Sequence, residues 1–122
     1  MTGGHAAPYR ARVAYDQDLA QRVRALLGRE AAAERRMFGG LAFLVDGQMC
    51  VAVSGSGGLM VRVDPAQAAG LLEEPGTGPV VMRGAPVTGW LLVQPGPLED
   101  DAALATWVRR GLDRARSLPP GR

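Results

Sequence analysis

The chain has 122 residues, enough to bury one core without disulfides or a structural metal, and leaves little room for a second domain. Its single cysteine excludes an internal disulfide framework and a sulfur-ligated zinc site, and no stretch approaches the roughly 20 apolar residues that span a bilayer. The 14 basic residues, all arginine, against 12 acidic ones give a net charge of +2, too small to be a nucleic-acid signature by itself.

The arginine-only basic set, with 17 glycines and 9 prolines, looks like the coding bias of a GC-rich bacterial genome, so arginine as a residue type carries little functional weight. Aromatics make up only 5% of the chain, which predicts a core of Leu, Val, Ala and Met. The lone cysteine and the absence of an apolar N-terminal segment make the cytoplasm the expected compartment.

Residues 1–13, with Gly3, Gly4 and Pro8 and no apolar period, read as a flexible leader. Asp16 offers an N-cap, Asp18 suits the positive end of a helix dipole, and Leu19, Val23, Leu26 and Leu27 recur at helical spacing up to Gly28. From Arg35 the period becomes strand-like, and Gly39-Gly40 suggests a bend or bulge after Met37 and Phe38. Leu41, Phe43 and Val45 then share one face, Asp46-Gly47 is a two-residue hairpin turn, and Met49, Val51 and Val53 continue the next strand.

Ser54 to Gly58 forms a flexible loop, and beyond it Leu59, Val61 and Val63 alternate with Met60 and Arg62 to complete a three-stranded meander. Asp64-Pro65 starts a short helix that stops at Pro75-Gly76. Val80 to Arg83 and Thr88 to Gln94 read as two further strands of the same sheet. The last element is the clearest helix: Leu104, Trp107, Val108, Gly111, Leu112 and Ala115 form one stripe, with acids before it and arginines after it. The expected architecture is α+β, an antiparallel sheet of about five or six strands with three helices packed mainly on one face. The domain spans residues 14–117, followed by a flexible tail over 118–122.

No catalytic constellation emerges. His5 is the only histidine and lies in the leader, so neither a Ser-His-Asp nor a Cys-His site has its second member. Cys50 sits mid-strand, where a small buried hydrophobe is the better reading than a reactive thiol. Ser54 to Gly58 precedes a strand and the chain has no lysine, which excludes a phosphate-binding Walker loop. Gly39-Gly40 lacks the spacing of a dinucleotide fingerprint. Carboxylates such as Glu99, Asp100 and Asp101 have structural roles at helix ends and no calcium-loop spacing. Arg109, Arg110, Arg114 and Arg116 form the strongest basic cluster, either a phosphate-binding stripe or the solvated flank of a helix.

The segment from Arg35-Arg36-Met37-Phe38-Gly39-Gly40 through Asp46-Gly47 to Met49-Cys50, followed by Leu59-Met60-Val61-Arg62-Val63-Asp64, resembles the TfoX/Sxy N-terminal domain. The preceding helix, the Gly89-Trp90-Leu91-Leu92-Val93 strand and the final helix are in the expected order. The resemblance implies an α+β domain from a family whose better-known members regulate natural competence as coactivators with the cyclic AMP receptor protein. Those members carry a second, helical C-terminal domain, and the sequence ending at Arg122 is read as the N-terminal domain standing alone. The resemblance supplies no catalytic residues, and the Met-Phe-Gly-Gly and Asp-Gly positions are read as defining the fold.

The functional expectation is a non-catalytic regulatory or protein-interaction module, transcription-related, with no cofactor, no metal and no membrane partner. Its partner would be another protein or a second copy in a homodimer. If Leu59, Val61 and Val63 face the helices, Met60 and Arg62 point outward, near Met37 and Phe38 on a neighbouring strand, and these four residues are the candidate interaction surface. The alternative is direct nucleic-acid binding through Arg109, Arg110, Arg114 and Arg116. A small ligand in a cleft between sheet and helices is a third reading.

Overall fold

A computed structural model describes residues 15–30, 33–37 and 39–121. The expected leader over 1–13, with His5, and the candidate surface residue Phe38 lie outside the described residues.

Helix α1 spans Gln17–Leu27, and the Asp16 carboxylate accepts the Leu19 amide at 3.0 Å, a side-chain N-cap. Its buried stripe is Leu19, Ala20, Val23 and Leu27, and Gly28 ends it with a positive φ of 53°. Six strands follow: β1 (Ala33–Met37), β2 (Gly40–Val45), β3 (Gln48–Val53), β4 (Leu59–Arg62), β5 (Thr77–Met82) and β6 (Ala85–Val93). They form one antiparallel sheet in the order β1-β2-β3-β4-β6-β5. Between β4 and β5, Asp64 caps a 3-10 turn, Pro65–Gln67, which leads into the one-turn helix α2 (Ala68–Leu71). After β6 come the one-turn helix α3 (Pro95–Leu98) and the long helix α4 (Asp101–Ser117).

The α+β class and the antiparallel sheet expected from the sequence are both present. Asp46 and Gly47 carry positive φ of 53° and 76°, the pair that a two-residue turn needs to match strand twist, so β2 and β3 form the hairpin read from Asp-Gly.

Helix α4 lies over the middle of the sheet, against β3 and β4, and α1 packs beside it. Phe43, Val51, Val53, Val61 and Val93 from the strands meet Leu104, Trp107, Val108 and Leu112 from α4 in one continuous core. Burial of each such side chain contributes roughly 1.5–3 kcal/mol. A methyl group at Gly111 would sit 2.4 Å from the Cys50 carbonyl oxygen, so glycine is what lets α4 approach β3 this closely. Ion pairs tie the elements at the rim: Arg22 to Asp101 at 2.8 Å, Arg24 to Glu34, and Arg116 to Glu30.

One departure from the sequence reading matters for the opposite face. The β2–β3 register shifts between Phe43 and Leu44: Phe43 faces Val51, but Leu44 faces Met49. Cys50 is therefore the extra residue of a β-bulge. It joins Val51 and Val53 in the helix-side core, whereas Met49 turns to the other face rather than sharing theirs. Apolar alternation alone cannot show a bulge, because the inserted residue is itself apolar. A second point concerns 118–122, read as a flexible tail, of which 118–121 are described. Gly121 N–H donates to the Asp46 carbonyl at 2.8 Å and Gln48 Nε2 to the Pro119 carbonyl at 2.7 Å, which hold this stretch against the β2–β3 turn. Its attachments involve main-chain atoms, which leave no sequence signature.

Candidate functional site

Cross-strand partners in an antiparallel sheet point to the same face. Following the register outward from β1 gives one row across the whole sheet: Arg35 faces Ala42, Ala42 faces Ala52, Ala52 faces Met60, Met60 faces Leu92, and Leu92 faces Gly78. This row lies on the face that carries no helix, and small residues at its centre make a low floor. Met37 rises on one side of the row, and Leu44, Met49 and Trp90 on the other. Ala42, Leu44 and Ala52 are nearly inaccessible, yet what covers them is the partly buried side chains of Met37, Met49 and Met60.

The β5–β6 ladder supplies the far wall. Its register slips between Pro79 and Val81, where Pro79 faces Leu91 but Val81 faces Pro86, and Gly89 within the slipped stretch has φ of 85°. Val81 and Met82 of the opposite edge strand β5, with Val87 of β6, consequently line the same depression as Met37. The result is an apolar trough of about 570 Å³, open to solvent, with Val81 57% and Met82 38% exposed. Polar groups enter at one end only, where Ser54 and Ser56 hydroxyls lie 3.1 Å apart.

Arg62 flanks the trough. Its guanidinium donates to Gln48 Oε1 at 2.9 Å and to the Met49 carbonyl at 3.3 Å, and lies 5.7 Å from the Trp90 ring centroid. Partial burial, followed by the nearby charge of Arg114, lowers its pKa from the usual arginine range. Glu34 is a different case: on the helix-side edge of β1, its carboxylate accepts from Nε and Nη2 of Arg24 at 2.5 and 2.8 Å, which holds its pKa below the ordinary value.

Cys50 is buried behind the sheet, its thiol donates to the Phe43 carbonyl at 3.3 Å, and burial pushes its pKa up to about 11. No group of three or more His, Cys, Asp or Glu among the described residues is placed to hold a metal ion. No described helix is long and apolar enough to cross a membrane.

A family model described as the TfoX N-terminal domain matches residues 24–115, from the last turns of α1 through all six strands to the end of α4. The chain belongs to the TfoX N-terminal domain family. No curated protein and no solved structure matches the chain. The Met-Phe-Gly-Gly segment of this TfoX N-terminal domain leads from β1 into β2. A methyl group at Gly40 would sit 2.3 Å from the Val53 carbonyl oxygen, so the second glycine serves strand packing.

The residues singled out from the sequence are distributed as follows. Met37 and Met60 both line the trough, but not as neighbours: β2 and β3 separate their strands, and the small Ala42 and Ala52 between them let the two methionines face one depression. Arg62 is on the same side, beside Trp90. Met49, Trp90, Leu92, Val81, Met82 and Val87 were not selected from the sequence. Their signal is weak because a bulge and a slipped ladder decide which way they point.

The four helix arginines do not form one cationic stripe. Arg110 binds Glu74 at 2.8 Å and stacks 4.4 Å from the Trp107 ring centroid, while Arg116 pairs with Glu30. Arg114 donates to the Ser117 hydroxyl at 3.5 Å and lines, with Arg110, Asp64 and Asp113, a second cleft of about 300 Å³. Arg109 is exposed, with no ion pair among the described residues.

Proposed function

We propose that this TfoX N-terminal domain is a non-catalytic interaction module, serving a regulatory and transcription-related role, whose working surface is the helix-free face of its sheet. The observation that carries this reading is the apolar trough bounded by Met37, Met60, Trp90 and the β5–β6 ladder. Water-exposed apolar surface of this kind is costly in a monomer and is the usual mark of a binding surface. Methionine adds adaptability, since its unbranched chain repacks around differing partners. The nucleic-acid alternative has less support, because ion pairs to Glu74 and Glu30 already engage two of the four helix arginines.

The test compares proteins captured by the tagged wild-type chain with those captured by Met60→Glu and Arg109→Glu. Circular dichroism first establishes that both variants fold. Loss of a specific partner with Met60→Glu, and its retention with Arg109→Glu, is the expected result. An unchanged set of partners with Met60→Glu would overturn the assignment of this face.

A further inference from the structure

The distribution of charge says what kind of surface the trough accepts, given the reading that the open face is the working surface. None of the twelve carboxylates lines the trough. Asp16, Asp64 and Asp100 cap helices, and Glu30, Glu34, Glu74 and Asp101 are paired with arginines at the rim or among the helices. The described lining holds no charged side chain, and three arginines stand near its borders. Arg35 stands at the β1 end of the floor row, Arg62 beside Trp90, and Arg83 in the β5–β6 turn next to Met82. Arg35 and Arg83 are exposed.

We propose that the trough receives an acidic amphipathic helix of a partner protein, its apolar stripe on the Met37, Met60 and Leu92 side chains that lie over the Ala42–Ala52 row and its carboxylates against Arg35, Arg62 and Arg83. The floor row runs across the strands and is lowest where it crosses β2 and β3, which admits a helix lying across the sheet. Arg35 and Arg62 stand three strands apart, roughly 14 Å at the ordinary strand spacing. At about 1.5 Å per residue, matching carboxylates stand some nine or ten residues apart on the partner helix. A second copy of the chain is the weaker occupant: a two-fold contact through this face brings like-charged arginines together. A nucleic acid is a weaker occupant too: among the described lining residues Trp90 alone offers a ring for stacking bases, and Ser54 and Ser56 put side-chain hydroxyls at one end, whereas the remaining walls are aliphatic.

The experiment uses the full chain and two labelled 16-residue helical peptides that share one leucine stripe, one with glutamate and the other with lysine at the remaining positions. Fluorescence anisotropy is expected to show the glutamate peptide binding at least about tenfold tighter, with the preference shrinking as salt rises. Arg35→Glu with Arg83→Glu, both on exposed side chains, is expected to cost about tenfold, whereas Arg109→Glu on the helix side leaves binding unchanged. Ala52→Phe, which fills the floor, abolishes it, and Met60→Glu does the same if the phenylalanine variant fails to fold. Equal binding of both peptides, still lost on Ala52→Phe, would overturn the acidic partner while sparing the open face as the working surface. Binding of neither peptide, with Met60→Glu capturing an unchanged set of proteins, would overturn both. A dimer in light scattering that Ala52→Phe dissociates, or a single-stranded oligonucleotide that outcompetes the glutamate peptide, would replace the acidic helix with that occupant.

Discussion

Gly111 of α4 rests against the carbonyl of Cys50, the bulge residue of β3, so closely that a β-carbon at position 111 would stand 2.4 Å from that oxygen. Replacing Gly111 with alanine gains about 1 kcal/mol of helix propensity. It also forces α4 away from β3, and overpacking of this kind costs roughly 1–3 kcal/mol or more. Chemical denaturation is expected to show net destabilisation of Gly111→Ala, and a variant more stable than wild type would show that α4 shifts freely over the sheet.

Cys50 makes the fold sensitive to alkali. Its thiol titrates near 11 in the folded chain against an ordinary 9.0, so between those values the unfolded chain has lost a proton that the folded one keeps. Stability from this group is full below about pH 9 and falls as pH rises toward 11, by at most about 1.4 kcal/mol per pH unit. Cys50→Ala removes that slope in urea titrations between pH 8 and 10.5. The native thiol is correspondingly expected to react with a disulfide reagent only after denaturant is added.

At the other end of the pH scale, Glu34 is held ionised by Arg24. A depressed carboxylate pKa contributes stability above its unfolded value, and that contribution disappears as pH falls through the folded value. Both partners are partly exposed, so Glu34→Gln is expected to cost only about 0.2–1 kcal/mol at pH 7, with the difference from wild type vanishing in acid.

The two tryptophans report on opposite faces. Trp107 is 3% exposed in the helix-side core, whereas Trp90 is partly exposed in the trough. Acrylamide is expected to quench the wild-type emission in two components, and Trp90→Phe to remove the accessible one. Trp107→Phe enlarges the core defect and lowers the unfolding midpoint, while Trp90→Phe leaves it nearly unchanged.

Local chemistry made much of this fold legible. Asp46-Gly47 dictates its hairpin through positive φ at both positions, Asp16 and Asp100 cap helices that their apolar stripes orient, and Met60 alternates outward from Leu59 and Val61. The trough was harder to read because it depends on register. Met49 faces it only because Cys50 is an inserted residue, and Met37 reaches it only across two intervening strands floored by alanines. The pairing of Arg110 with Glu74 joins residues far apart in sequence, so a basic cluster that looks continuous along a helix is divided in space.

The placement of α4 has a consequence for how the chain is made. Strands β2, β3 and β4 are synthesised first, but the helix that covers Phe43, Val51 and Val61 is encoded by residues 101–117. While the ribosome completes the intervening segments, at some 5–20 residues per second, both faces of the nascent sheet are apolar and uncovered for several seconds. A chain stalled or cleaved before residue 101 therefore exposes two sticky surfaces instead of one, which makes it a substrate for chaperones and proteases rather than a smaller working domain.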